Sequence, residues 1–216
     1  MLQTKTVAPD TLALLKRIQA IPELMDTRLV GGTALALHLG HRKSTDLDFF
    51  GEWDLTLDLS QLLAPCGTVV KKNKGTRLQF FDVADVKCDF VSLYCPWLFP
   101  AVETEGVRLA DIRDIAAMKI HAITNRGRRR DFVDLAELLR HLTMDEMVGF
   151  YLKKYPDAIM DAVFRSLAWF DDADKDKDIP FMFTRTSWET MKNRVIKATG
   201  PVMRKWTEDH RKNFNL

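Results

Sequence analysis

Residues Leu29 to Phe50 read L-V-G-G-T-A-L-A-L-H-L-G-H-R-K-S-T-D-L-D-F-F. A short apolar run stops at Gly31 and Gly32, and a small helical pattern from Thr33 to Leu39 closes at Gly40. A polar turn then leads into Asp46-Leu47-Asp48 and two phenylalanines. Glycines after a strand let the backbone approach a ligand closely, and the helix start that follows offers free N–H groups to an anion. Asp46 and Asp48 stand two apart in a predicted strand, so both carboxylates share one face. Like charges on one face of a mostly apolar strand are costly without a cation between them. A divalent metal ion answers that need.

The chain around this stretch has 216 residues, room for one domain with an appendage or two small ones. A composition of 46% hydrophobic and 29% charged residues is that of an ordinary soluble globular protein. The formal net charge is only +2, so a nucleic-acid contact has to rest on local clusters. Cys66, Cys88 and Cys95 form no C-x-x-C pair and leave one over, which points to reduced thiols in a cytosol. The apolar run Phe90 to Val102 is short and broken by Pro96 and Pro100, so it does not span a membrane. The opening M-L-Q-T-K-T has no apolar signal core. A cytoplasmic protein is expected.

Outward from the central stretch, Pro9 to Ile21 predicts a helix capped by Asp10 and stopped by Pro22. Its inward stripe is Leu12, Leu15 and Ile18, with Leu14 as the alternative. Strands are expected at Arg28 to Val30 and Asp46 to Phe50, and a short helix over Leu55 to Leu63. Thr68 to Lys72 and Thr76 to Val83 form a hairpin about Asn73-Lys74-Gly75, followed by strands at Val86 to Leu93 and Gly106 to Leu109. After Ala110 the pattern turns helical: Asp111 to Thr124, Asp131 to His141, Met144 to Tyr155, Asp157 to Phe170, Ser187 to Ala198 and Pro201 to Lys212. The reading is α+β over residues 1–110, then helical over residues 111–216. The run D-D-A-D-K-D-K-D from Asp171 to Asp178 lacks the glycine and glutamate of a calcium loop and reads as an exposed turn. The five tryptophans read as core or interface.

A third carboxylate would complete a metal site, and Asp82, Asp85 and Asp89 are candidates. Asp82 and Asp85 flank Val83-Ala84, where a turn is natural, whereas Asp89 is mid-strand, where aspartate is depleted. Asp89 is the choice. Hard oxygen donors suit Mg²⁺ or Mn²⁺ better than zinc. The bland alternative has Asp46 capping a turn and Asp48 paired with a lysine or arginine.

An apolar residue, Gly31 or Gly32, Thr33 where serine is common, and then Asp46-Leu47-Asp48 resemble the signature of the DNA polymerase β-like nucleotidyltransferases. More narrowly, G-G-T-A-L-A-L with H-R-K-S-T-D-L-D-F-F is similar to the AbiEii/AbiGii-type toxin nucleotidyltransferases. So is the downstream segment with Asp114 and Lys119 in D-x-x-x-x-K, Arg126, and Arg130-Asp131-Phe132-Val133-Asp134. The resemblance implies a small mixed sheet flanked by helices, and a helical C-terminal domain that completes the nucleotide cleft. It implies two-metal transfer of an NMP group from an NTP, with Asp46, Asp48 and Asp89 as ligands and Asp89 helping to deprotonate the attacking hydroxyl. Gly31, Gly32 and the Thr33 hydroxyl would hold the β- and γ-phosphates. It further implies a type IV-like toxin, an RNA acceptor (tRNA foremost) or a protein acceptor, and a cognate antitoxin. The competing readings are nucleotidyl transfer to an aminoglycoside-like small molecule, and a nucleotide-binding or antitoxin-type module without turnover.

Lys119 falls on the inward stripe of its helix, where an ammonium needs a partner, and a phosphate-lined cleft is the favoured one. Asp131 and Asp134 lie three apart and face one way. Asp131 fits a helix cap, and Asp134 fits a partner for Lys119, an arginine or substrate. Arg126, Arg128, Arg129 and Arg130 start as a solvated turn, and beside such a site become contacts for triphosphate or RNA backbone. Arg42 either neutralises Asp46 or binds phosphate.

Overall fold

The computed structural model describes residues 1–92 and 96–213, so Cys95 and the end of the strand expected over Val86 to Leu93 lie outside the described residues. Helix α1 runs Pro9–Gln19. Its N-cap is Ala8, not Asp10. Pro9 takes the first helical position, where a missing N–H costs nothing, and Asp10 lies in the first turn facing the positive helix end. The buried stripe passes through Leu14, Leu15 and Ile18.

Strand β1 (Arg28–Val30), helix α2 (Gly31–Leu39) and strand β2 (Leu47–Phe50) follow without long connections. Gly40 ends α2 in the left-handed conformation, φ 70°. Helix α3 covers only Leu59–Leu63. Asp54 folds back onto the Thr56 N–H, and Asp58 accepts from the Ser60 N–H, so the helix starts four residues later than expected.

Strands β3 (Val69–Lys71), β4 (Leu78–Val83) and β5 (Val86–Val91) form a meander. Strands β6 (Val102–Thr104) and β7 (Val107–Leu109) form a hairpin. The three-residue β6 had too little pattern to be anticipated. Ala84-Asp85 and Glu105-Gly106 turn their hairpins with φ positive at both positions, the twist that suits antiparallel strands.

The sheet order is β3-β4-β5-β2-β1-β7-β6, with β2 at the centre. The β2–β5 and β1–β7 pairs are parallel and the rest antiparallel, giving the expected mixed sheet. Alternation along β2 and β5 buries Leu47, Phe49, Cys88 and Phe90 on one face. Phe49 stacks on Phe90 at 4.8 Å between ring centroids, and Phe81 and Trp53 meet Phe90 edge-on. The opposite pleat carries Asp48 and Asp89.

The helices after the sheet are α4 (Ile112–Arg126), α5 (Arg129–Leu138), α6 (Met144–Lys154), α7 (Met160–Leu167), α8 (Asp171–Lys175) and α9 (Trp188–Asn213). Thr143 and Glu146 cap α6 reciprocally. Asp171 to Lys175 is thus a short helix rather than an exposed turn, and Arg129 and Arg130 belong to α5 rather than to a loop. The two helices expected after Ser187 are one, with Pro201 inside it. It packs against α5, α6 and α7, and that burial outweighs the roughly 3 kcal/mol that an interior proline costs a helix.

The chain divides into two compact units, residues 1–115 with 181–183, and residues 116–180 with 184–216. The division falls inside α4. The short return at Phe181 was not anticipated. It pairs antiparallel with the polar turn of the first unit: Lys43 N–H donates to Phe181 O (2.9 Å) and Phe183 N–H to His41 O (3.0 Å).

Candidate active site

The turn between β1 and α2 is shaped by what lies against its glycines. Gly31 has φ +68°, and a Cβ there would overlap Oδ2 of Asp48. A Cβ on Gly32 would overlap the guanidinium of Arg42. One glycine admits a carboxylate and the next a cation. Val30, at the cap of α2, offers no side-chain acceptor to the first-turn N–H groups.

Thr33 is buried, and its hydroxyl donates to the Asp46 carbonyl. That leaves Ser44 Oγ to donate to Thr33 Oγ1 at 2.8 Å. The hydroxyl expected to hold phosphate instead ties the polar turn to α2. Arg42 is buried at 4% exposure, with Nη1 donating to Lys43 O at 2.9 Å.

The three candidate third carboxylates part company in the sheet. Asp85 sits in the β4–β5 turn with φ 63°. Asp82 pairs with Lys72 at 2.5 Å. Asp89 is the register partner of Asp48 across the parallel β2–β5 pair. Its Oδ2 accepts from Lys87 at 2.7 Å, and its Oδ1 is buried without a hydrogen-bond partner. Burial lowers the Lys87 pKa, but the hydrogen bond to Asp89 and the charges of Asp89, Asp46 and Asp48 leave it raised. Behind this face, burial and the charges of Asp89, Asp48 and Asp82 push the Cys88 thiol up to about 12.

Among the described residues no three His, Cys, Asp or Glu side chains converge closely enough to hold a metal ion as they stand. The donor set nonetheless fits one. Asp48 and Asp89 are hard oxygen ligands on paired strands, Asp89 keeps a buried oxygen without a partner, and Gly31 leaves room for Asp48. The present arrangement is the one with Lys87 engaged.

In the second unit, Lys119 is buried and donates to Asp131 (3.0 Å) and Asp134 (2.6 Å). Arg126 closes on Asp131 through Nε (3.0 Å) and Nη2 (3.2 Å). Burial opposes ionisation of Asp131, yet Lys119 and Arg126 hold its carboxyl below the usual range. Of the partners open to Asp134, the structure supplies Lys119. The cluster joins α4 to α5.

The basic run is engaged with the acidic run that follows α7. Arg129 lies over the Trp188 ring at 4.8 Å, its N–H donates to Asp176 (3.2 Å), and Arg130 faces Asp178 (3.4 Å). Charge along the sequence did not show that these two runs meet. Trp169, read from the sequence as core or interface, is 58% exposed and lines a cleft of about 520 Å³ with Asn125, Arg126, Arg165 and Ser166. Asp114, in the first unit, is fully buried and accepts from the Leu98 and Phe99 N–H groups. Its acidic position in D-x-x-x-x-K gave no sign of that backbone role.

The profile of the family described as "Nucleotidyl transferase AbiEii toxin, Type IV TA system" matches residues 13–211. A relative from Aquifex aeolicus, "Uncharacterized protein aq_aa25", is 32% identical over 168 residues, covering 74% of this chain and 81% of the relative. The structure of JHP933 from Helicobacter pylori is similar with a TM-score of 0.53 and 18% identity, over 96% of this chain and 98% of that one. MenT4, a nucleotidyltransferase toxin from Mycobacterium tuberculosis, is similar with a TM-score of 0.56 and 14% identity, over 89% and 85%. These two likenesses are of fold.

Proposed function

From a chain that belongs to the AbiEii nucleotidyltransferase toxin family, we propose an enzyme that moves an NMP group from an NTP to an RNA acceptor, using Mg²⁺ or Mn²⁺. The observation that carries this is the pairing of Asp48 with Asp89 across β2–β5, beside a glycine turn whose space Asp48 occupies. In this reading Asp46, Asp48 and Asp89 hold the divalent ions. When bound, the ions supply charge neutralisation for the attacking and leaving oxygens of an in-line displacement at the α-phosphate.

The residues of the chain do the rest. Asp89, with an oxygen free of hydrogen bonds, accepts the proton of the attacking hydroxyl. The uncapped N–H groups at Gly31 and Gly32 bind the outer phosphates, and the helix end favours their charge. Arg42, against Gly32, adds positive charge to that turn. Thr33 and Lys119 act through structure, one fixing the Asp46 backbone and the other joining α4 to α5. Arg126, half-exposed beside Trp169 and Arg165, contacts the acceptor strand by its charge and the ring's stacking surface. The remaining parts of the reading are a cytoplasmic toxin and an antitoxin partner. No helix among the described residues is long and apolar enough to cross a membrane.

The test is transfer of label from each of the four α-labelled NTPs to total RNA, with Mg²⁺ or Mn²⁺. Labelled RNA is expected with at least one NTP, lost with EDTA and lowered roughly a hundred- to a thousandfold by Asp48→Ala. An inert wild-type protein, or an Asp48→Ala variant as active as wild type, contradicts the proposal.

A further inference from the structure

Lys87 and Asp89 lie two apart on β5, so their side chains rise from the same face. The ammonium is 2.7 Å from one Asp89 oxygen, and the other oxygen of that carboxylate is buried and unpartnered. Asp46 and Asp48 act on the same ammonium. The Lys87 side chain is half-exposed, at 50%, whereas that of Asp89 is 17% exposed. A flexible four-carbon stem can therefore carry the ammonium into water while the carboxylate stays. An ammonium and a divalent ion on the same carboxylate repel each other at a few ångströms.

We propose that Lys87 competes with the divalent ion for Asp89: it neutralises the carboxylate face when no ion is bound and swings out when one is. This rests on the metal-dependent reading of the same carboxylates. Lys87 is then a positioning residue that raises the ion concentration needed to load the site, and it balances the Asp89 carboxylate when no ion is bound.

The experiment measures Mn²⁺ binding by loss of the free-ion EPR signal for the wild-type chain, Lys87→Met and Lys87→Arg, with thermal melts in EDTA and in excess Mn²⁺. Removing an exposed competing ion pair is expected to tighten Mn²⁺ binding roughly two- to fivefold in Lys87→Met. Lys87→Arg, which keeps the charge, binds no tighter than wild type. In EDTA, Lys87→Met melts below wild type, and Mn²⁺ raises its melting temperature by more. Equal or weaker Mn²⁺ binding by Lys87→Met overturns the competition while leaving the metal reading intact. Failure of all three proteins to bind Mn²⁺ overturns both.

Discussion

Gly31 and Asp48 share one small space, and each explains the other. With φ +68° and the Asp48 carboxylate where a Cβ would be, Gly31 accepts no side chain without moving the aspartate. Gly31→Ala is expected to cost about 1–3 kcal/mol of stability from backbone strain, and to lower transfer activity further than stability accounts for. Denaturant titration beside a turnover assay separates the two effects, and unchanged activity would show that the Asp48 position does not matter. The sequence made this pair legible because glycine after a strand and D-x-D in a strand are rare patterns with few causes. Thr33 was not legible in the same way. A hydroxyl has many partners, and only the fold shows that its proton goes to the Asp46 carbonyl.

At the scale of elements, the junction of α4 and α5 depends on one buried lysine between two buried carboxylates. Removing one partner of such a set strands charge in the interior. Lys119→Met is expected to lose about 3–5 kcal/mol. The Asp131 carboxyl is held below its ordinary value in the folded state, so its contribution is present above the unfolded pKa near 4 and lost as pH falls through the lower folded value. Between about pH 5 and pH 2.5 the wild-type melting temperature should therefore fall more than that of Asp131→Asn, in melts at matched ionic strength. Parallel slopes would remove this carboxylate from the acid sensitivity of the fold. Spacing put Lys119 on an inward stripe and Asp131 and Asp134 on one face of the next helix, but left open what met them. Partners twelve and fifteen residues away on another helix are set by packing. The same limit hid the contact between Arg129, Arg130 and the acidic run near Asp176. It also hid the continuity of α9 through Pro201, where neighbouring helices override a local stop signal.

Over the whole molecule, the chain joins a seven-stranded mixed sheet to a helical unit, the architecture shared with nucleotidyltransferase toxins. The central strand carries Asp48, with Asp46 immediately before its first residue, and the parallel neighbour that enters the sheet after the β3–β4 excursion brings Asp89 beside it. Strand order cannot be read from a linear pattern, which is why Asp82, Asp85 and Asp89 had to be weighed by their turn and strand surroundings alone. The fold distinguishes them: a surface ion pair, a hairpin turn and a register partner of Asp48. Pyrophosphate release by Asp89→Asn and Asp82→Asn, compared at saturating NTP and Mg²⁺, tests the carboxylate pair directly. The account predicts a loss of roughly a hundredfold or more in Asp89→Asn and little change in Asp82→Asn. An active Asp89→Asn enzyme, or a dead Asp82→Asn enzyme that still folds, would contradict it.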